Sequence, residues 1–278
     1  MRIAVLITSF NRKEKTRAFL NSLKTQQTAS SISIKLYATD DKSSDGTAAA
    51  IKEIYPDANI YTGTGNLFWA GGMRASWNEA LKENHDFYML ANDDTLLLPG
   101  TIQTLVDYYK NDLLHTTILI GTTSDGKGIS YGGRSITSKL FFKNKMVSSK
   151  TDYLSCDLGN ANIMFVPDTI VKKIGILDGC YTHGIADFDY TLTAKKAGYK
   201  VLVPPGILGI CTDDHGKNWK SGKTTLKERI DYLKSPKGLA YTEYLQFIKK
   251  HLPLHYPIAY IKLWAKTLFP QLWDVFKK

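Results

Sequence analysis

Two adjacent carboxylates, Asp93 and Asp94, stand between apolar runs in the stretch MLANDDTLLL at residues 89–98. Two anions side by side repel each other and lose hydration at the edge of a core, so solvent or a cation must compensate them. A hard divalent cation that bridges to phosphate oxygens would do so, because carboxylate oxygens are its usual ligands. An Asx turn that enters a helix over 99–109, with Pro99 near its first turn, is the alternative. The stretch alone leaves both interpretations open.

Two further polar loops could carry chemistry. The loop DDKSSDGT at 40–47 offers three carboxylates just before a helix, where capping by Ser and Asp is an equally good explanation. The loop GTGNLFWAGGMRASWN at 63–78 places glycines and aromatic residues before the next helix. Glycines allow a ligand to approach the backbone closely, and N–H groups at a helix start favour an anion. The pattern is not a GxGxxG dinucleotide fingerprint.

Apolar runs alternate with amphipathic stretches over the first third of the chain. Strands joined through helices need crossover connections, which predicts an α/β fold with a mostly parallel sheet and helices on its faces. The predicted strands are 2–8, 32–39, 58–62 and 87–91, and the predicted helices are 11–26, a helix ending at Ile54, 71–84 and 99–109.

The polar loops follow these strands directly, at 8–12, 40–47, 63–72 and 92–95. In parallel sheets ligands bind beyond the carboxyl ends of the strands, so we expect one crevice to collect all four loops. In that crevice the adjacent carboxylates favour the cation interpretation, with Asp94 as first choice of ligand.

Six motifs in order resemble a known family: TSFNR (8–12), DDKSSDGT (40–47), GNLFWAGGMRASWN (65–78), NDD (92–94), GNANIMFVP (159–167) and ADFDYTLTAKKAGYKV (186–201). Together they are similar to the family 2 inverting glycosyltransferases of bacterial polysaccharide synthesis, including rhamnosyltransferase-like members. The resemblance implies a GT-A nucleotide-sugar-binding domain over residues 1–216.

The resemblance also implies which residues hold the nucleotide-sugar donor. By position in the motifs, Asp41 would hold the base, and Asp93 would be a further candidate beside Asp94 for the shell of a diphosphate-bound metal. The other residues that it places at the nucleotide or in the nucleotide-sugar pocket are Thr8, Asn11, Arg12, Asn66, Gly71, Gly72 and Asn78.

A divalent metal, manganese or magnesium, is implied as the cofactor on the donor diphosphate. Asp94 matches the last Asp of the family's DxD motif, although Asn92 replaces the first Asp. His215 stands in the context of a His that in relatives contacts the metal or the diphosphate. A lone His is more often structural or exposed, so this second ligand has a simpler alternative.

The motif at 186–201 resembles the family's EDxDLxxRxxxxGYK helix and implies Asp187 as the general base, with Asp189 as the reserve. Ala186 replaces the usual Glu and Thr193 the usual Arg, so both halves of what is often an ion pair are absent. The simpler interpretation is that Asp187 only begins a helix, where the dipole favours an acid.

The implied activity is inverting transfer of a hexose or deoxyhexose from a nucleoside diphosphate to a hydroxyl of a glycan or lipid-linked saccharide. Because Ala186 and Thr193 depart from the acceptor-side motif, a catalytically silent module that binds a sugar nucleotide or glycan is the alternative. A nucleotidyltransferase would need a Gly-rich loop after the first strand, and TSFNRKEK lacks glycines.

Three widely spaced cysteines without a CxxC pair indicate reduced thiols and a cytoplasmic protein, and the N-terminus predicts a buried strand instead of a signal peptide or membrane span. Positive charge is concentrated near the end of the chain: residues 217–278 carry 13 Lys and Arg against 4 Asp and Glu, whereas residues 1–216 carry 23 against 22.

Residues 217–278 therefore form a basic, amphipathic helical segment in which Thr225 and Glu228 predict a capping box. A Lys-rich helix that also carries Trp264 can lie in an anionic membrane interface, here the inner face of the cytoplasmic membrane. Packing on the catalytic domain or on a homodimer partner is the alternative. Nucleic acid is disfavoured, because the basic residues avoid the strand-end crevice and no recognition motif accompanies them.

Overall fold

The computed structural model describes residues 1–212 and 218–276 of the chain. The strands are β1 (Arg2–Ser9), β2 (Ser33–Asp40), β3 (Asn59–Thr62), β4 (Phe87–Ala91), β5 (Leu96–Leu97), β6 (Thr117–Ile120), β7 (Thr123–Ser124), β8 (Gly133–Ser138), β9 (Lys143–Met146), β10 (Leu154–Ser155), β11 (Leu158–Gly159), β12 (Ile163–Pro167), β13 (Lys200–Val203) and β14 (Gly209–Ile210). The helices are α1 (Lys13–Lys24), α2 (Thr47–Ile54), α3 (Phe68–Ala80), α4 (Thr101–Tyr108), α5 (Asp168–Ile174), α6 (Ala186–Lys196), α7 (Leu226–Lys234), α8 (Tyr241–His251), α9 (Tyr256–Leu268) and α10 (Gln271–Phe276).

An eight-stranded sheet forms the centre, in the order β10-β13-β6-β12-β4-β1-β2-β3. Strands β3, β2, β1 and β4 run parallel, β12 is antiparallel to both of its neighbours, and β13 is parallel to β6. Two three-stranded sheets, β11-β8-β9 and β5-β14-β7, lie beside it. The predicted α/β architecture, a mainly parallel sheet flanked by helices, is confirmed.

Strand β1 lies inside the sheet, between β4 and β2, and its side chains after Arg2 are buried on both faces. Ala4 and Leu6 belong to the core on one face, and Ile3, Val5 and Ile7 belong to the core on the other. This alternation is the period-two pattern of a strand covered on both sides. Helices α3, α6, α8 and α9 contribute to the first core, and α1, α2 and α4 contribute to the second.

Helix α3 differs from its predicted bounds. We expected a helix over 71–84, but it begins at Phe68 and ends at Ala80. The prediction left residues 68–70 in the preceding loop, and Gly71 and Gly72 lie inside the helix although glycine weakens one. In the fold, a Cβ on Gly72 would collide with the Thr8 side chain, so glycine is what lets α3 approach β1.

The segment after residue 217 packs on the sheet domain. The predicted capping box of Thr225 and Glu228 starts α7, and both of its hydrogen bonds are present. Leu245, Phe247 and Ile248 of α8 are buried in the same core as α3 and α6. None of the described helices is long and apolar enough to span a bilayer.

Candidate functional site

A cavity of about 700 Å³ opens at the carboxyl ends of β1, β2 and β4, a size typical of small-molecule sites. It brings together side chains from both halves of the chain. Of the site residues expected from the sequence, the cavity is lined by Thr8, Arg12, Asp41, Asp93, Asp94 and Asp187. Asn11, Asn66, Gly71, Gly72, Asn78 and Asp189 do not line it, and His215 lies outside the described residues.

Arg12 supplies the counter-charge for the adjacent carboxylates. Its guanidinium donates to Asp93 Oδ1 at 3.0 Å and to Asp94 Oδ2 at 2.7 Å. The chain turns at this point through its backbone, since Thr95 N donates to the Asn92 carbonyl at 3.1 Å, while Asn92 Oδ1 accepts from Trp69 Nε1 at 2.8 Å. Neither solvent nor a bound cation needs to be invoked for this compensation, since a guanidinium that spans both acids is sufficient.

The two acids have different surroundings. Asp93 is 2% exposed, and Thr16 Oγ1 donates to its second oxygen at 3.1 Å. Burial raises the pKa of Asp93 above its ordinary value, and Arg12 offsets part of that rise. Asp94 is more open, with Lys15 Nζ at 3.7 Å and the Cys211 thiol donating to Oδ1 at 3.7 Å. Asp93 therefore serves mainly to hold Arg12 and Thr16, and Asp94 faces the cavity.

The donor set limits how a metal could bind. Within residues 1–212 and 218–276, no group of three or more His, Cys, Asp or Glu side chains is arranged to hold one. Magnesium, however, is often held by one or two carboxylates, with substrate phosphates and water completing the shell. Asp94 fits that role, so the described residues suit a metal shared with a diphosphate better than a closed protein site.

The start of α3 is occupied by the protein's own acceptors. The Asp41 carboxylate accepts from Gly65 N at 2.7 Å, Leu67 N at 2.9 Å and Phe68 N at 3.3 Å. The next N–H groups go to His183 Nδ1 and to the carbonyl of Thr182. The expectation that the N–H groups at this helix start would bind an anionic ligand is therefore corrected. A helix start does attract an anion, but here the anion is Asp41.

The remaining sequence candidates on this side shape the loops. The side chain of Asn11, a residue at φ +51°, accepts from Ser44 N at 2.8 Å and so ties the loop after β1 to the loop after β2. Gly72 packs against Thr8, as described above, and Gly71 donates to Thr182. Asn66 and Asn78 are exposed outside the cavity.

Asp187 lies in the first turn of α6 and lines the cavity. Its oxygens accept from Phe188 N at 2.8 Å and from Ala161 N at 3.2 Å. Burial raises the pKa of Asp187 to about 6, although these hydrogen bonds favour the charged form. The residue thus begins a helix, as the simpler interpretation held, and it also faces the cavity with a pKa suited to accepting a proton near neutral pH.

Asp189, the reserve candidate, has a structural environment. Its side chain is buried, and it binds Tyr181 Oη at 2.9 Å, Lys250 Nζ at 2.9 Å and His251 Nε2 at 2.7 Å. Burial alone would raise its pKa, but the hydrogen bonds from His251, Lys250 and Tyr181 outweigh burial and lower it. A carboxylate held by three donors away from the cavity is poorly placed to accept a substrate proton.

Several cavity residues were not identified as site residues from the sequence. His183, on the loop before α6, and Lys237, on the loop before α8, both approach the ring of Phe68. Neither residue belongs to a sequence motif that would predict a place in the cavity, because their positions depend on how distant segments pack. Among the aromatic residues, Phe68, Trp69 and Tyr131 line the cavity, whereas Trp77 and Tyr181 are buried in the core.

Comparison with known families decides the assignment. Residues 4–165, more than half of the chain, match the model of the family described as glycosyl transferase family 2. The chain belongs to glycosyl transferase family 2. As a member of the family it is a glycosyltransferase that uses a nucleotide-sugar, and the assignment gives no support to a silent binding module. The match ends before Asp187 and before all the helices of the basic segment.

Solved glycosyltransferase structures share the GT-A fold of this family member. The mannosyltransferase PcManGT from Pyrobaculum calidifontis, in complex with GDP-Man and Mn2+, has a TM-score of 0.58 at 12% identity, over 95% of this chain and 69% of that one. S. aureus TarS 1-349, in complex with UDP-GlcNAc, has a TM-score of 0.53 at 14% identity, over 92% and 73%. At such identities the likeness shows the fold alone. No curated protein sequence matches the chain significantly.

Proposed function

We propose that this family 2 enzyme transfers a hexosyl or deoxyhexosyl group, with inversion, from a nucleoside diphosphate to a hydroxyl of a glycan or lipid-linked saccharide in cell-surface polysaccharide synthesis. One observation carries the proposal: Asp94 and Asp187, which lie 93 residues apart in the sequence, line the same cavity. In the proposed reaction Asp94 holds a diphosphate-bound cation, and Asp187 accepts a proton.

Asp187 is the general base of the proposed reaction. As the acceptor oxygen forms its bond to the anomeric carbon, the hydroxyl proton passes to the Asp187 carboxylate, and the bond to the diphosphate oxygen breaks. Such proton transfer typically contributes ~10²–10⁴-fold. A single displacement on the face opposite the leaving group inverts the anomeric configuration. With a pKa of about 6, Asp187 is largely ionised at neutral pH.

The departing diphosphate needs positive charge, because the N–H groups at the start of α3 are already bound. Asp94 would hold the metal, manganese or magnesium, which supplies Lewis-acid stabilisation of the leaving oxygens. Arg12 keeps Asp94 in place by bridging it to Asp93. The ammonium of Lys237, which has no carboxylate partner within the described part of the chain, lines the same cavity and adds a cation to it.

The exposed face of the basic segment supports the proposal that the acceptor is bound to a membrane. Ile261 is 66% exposed, Phe269 59%, Leu272 51% and Val275 65%, and lysines of α9 lie in the same segment. Exposed apolar side chains with nearby lysines suit an anionic bilayer interface. In the proposed function, α9 and α10 hold the enzyme at the inner face of the cytoplasmic membrane, where a lipid-linked acceptor is found.

A donor panel tests the proposed function. The full chain is incubated with UDP-, GDP- and dTDP-sugars and manganese, and nucleoside diphosphate release is measured with and without EDTA. We expect slow hydrolysis of one donor class, reduced by EDTA. If no donor is turned over while one nucleotide still binds tightly, the protein is a binding module and the proposed chemistry is wrong.

A further inference from the structure

The segment Thr182–Asp189 forms much of the cavity wall, and contacts with other parts of the chain hold its backbone in place. His183, Gly184, Ile185, Asp187 and Phe188 all line the cavity. Ile185, which precedes α6, has φ +67°, a left-handed conformation that β-branched residues rarely adopt. Surrounding contacts must hold such a backbone in place, because the residue itself disfavours it.

Helix α8 contacts one end of this segment through Glu243. Glu243 Oε2 accepts from Thr182 N at 2.9 Å. The carbonyl of the same Thr182 accepts from Ala70 N at 3.1 Å and from Gly71 N at 3.4 Å, at the start of α3. The first residue of the segment is therefore fixed between two helices, α8 on one side and α3 on the other.

The same helix contacts the other end of the segment through Lys250 and His251. Both bind the carboxylate of Asp189, which is 2% exposed and lies two residues beyond Asp187. Glu243 and Lys250 are seven residues apart on α8. Two helical turns span about 10 Å and return to the same face, so one face of α8 reaches both ends of the segment.

We infer that α8 positions the catalytic base: Glu243, Lys250 and His251 hold the Thr182–Asp189 segment at both ends and so fix Asp187 toward the acceptor. This inference rests on the proposed function, in which Asp187 is the base. The three side chains are positioning residues, since none of them lines the cavity. They lie outside the family match, so the basic segment would supply part of the catalytic apparatus.

Two independent variants with matched controls test the inference in the full-length protein. Lys250→Met is compared with Lys249→Met, its exposed neighbour in α8, whose side chain makes no hydrogen bond or ion pair to any described residue. Glu243→Ala is compared with Glu243→Gln, which keeps an acceptor for Thr182 N. The measurements are kcat and donor KM with the donor found in the panel, affinity for UDP, GDP and dTDP, and thermal unfolding.

We expect kcat to fall ~10- to 100-fold in Lys250→Met and Glu243→Ala, because a small displacement of a reacting group has an effect of this size. Donor KM and nucleotide affinity should stay near wild type, Glu243→Gln should retain most of the activity, and Lys249→Met should match wild type. An unchanged kcat with only a lower Tm, or a raised KM with normal kcat, would overturn the inference. Full activity in Asp187→Asn would instead overturn the assignment of the base, which separates the two failures.

Discussion

Arg12 shows how one side chain changes the meaning of a motif. The sequence placed Arg12 beside the nucleotide and left the adjacent acids to solvent or a cation. In the structure Arg12 spans Asp93 and Asp94, which lie about 80 residues further along the chain. Pairing at that separation depends on the order of strands in the sheet, so it could not be inferred from the motif. Asp94 and Asp187 could be predicted as site residues from their positions in the motifs, and both line the cavity.

Replacing Arg12 with Leu should destabilise the protein. A fully buried ion pair that loses one partner costs about 3–5 kcal/mol, but Arg12 is 35% exposed, so we expect roughly 2 kcal/mol after solvent screening. Urea unfolding at pH 7 measures this loss. The double variant Arg12→Leu/Asp93→Asn should recover part of it, because the more deeply buried acid is then neutral and Asp94 keeps Lys15 Nζ at 3.7 Å. A double variant no more stable than Arg12→Leu would show that the ion pair is not the cause.

The raised pKa of Asp187 sets the expected pH dependence of the reaction. The base must be ionised, so kcat/KM should rise with pH and level off above about 6, the pKa that burial gives this carboxyl. The profile should be recorded between pH 4.5 and 8, with stability checked at each pH, because general unfolding in acid would imitate the same limb. A flat profile across pH 6 in a stable enzyme would mean that a different group accepts the proton.

At the scale of elements, strands were predicted more closely than helix ends. The strand predicted at 87–91 matches β4, because a short run of apolar and aromatic residues favours a buried strand. The beginning of α3 was missed by three residues, since its N–H groups are capped by Asp41 and Thr182, which come from distant parts of the chain. The sequence pattern left residues 68–70 in the polar loop, and these tertiary contacts make them part of the helix.

We expect the glycine-containing loop at 63–72 to depend on Asp41 for its stability. Its carboxylate, 3% exposed, accepts three backbone N–H groups at the start of α3. Asp41→Ala leaves those donors unpaired, which should lower the free energy of unfolding by about 1–3 kcal/mol and weaken nucleotide binding. Urea unfolding and nucleotide titration measure both effects, with the exposed Asp57→Ala as the control. Wild-type values for both quantities would show that the loop does not depend on Asp41.

At the scale of the whole molecule, the basic segment has two faces with different roles. Its inner face, on α7, α8 and α9, packs into the core of the sheet domain, as one of the alternatives from the sequence held. Its outer face on α9 and α10 leaves large apolar side chains exposed. Helical periodicity and the capping box at Thr225 predicted that the segment is helical. The periodicity could not show which face of each helix would pack on the sheet, because apolar residues occur on more than one side of the helices.

The membrane proposal predicts a loss of vesicle binding when the outer face becomes acidic. Ile261→Asp/Leu272→Asp should no longer sediment with phosphatidylglycerol vesicles, whereas Leu113→Asp/Leu114→Asp, which alters an even more exposed apolar pair elsewhere, should behave as wild type. These point variants are preferable to truncation, which would remove buried residues of α8. Undiminished sedimentation would contradict the proposal, and a vesicle-independent change from dimer to monomer would assign the face to a homodimer.

The central claim is that Asp187 takes the acceptor proton in a cavity whose donor site is formed separately by Asp94 and its neighbours. The most direct test measures Asp187→Asn for sugar transfer and for nucleotide affinity in the same preparation. We predict that transfer falls by ~10²–10⁴-fold while nucleotide affinity stays near wild type. Transfer at the wild-type rate, or an equal loss of transfer and nucleotide binding, would contradict the account.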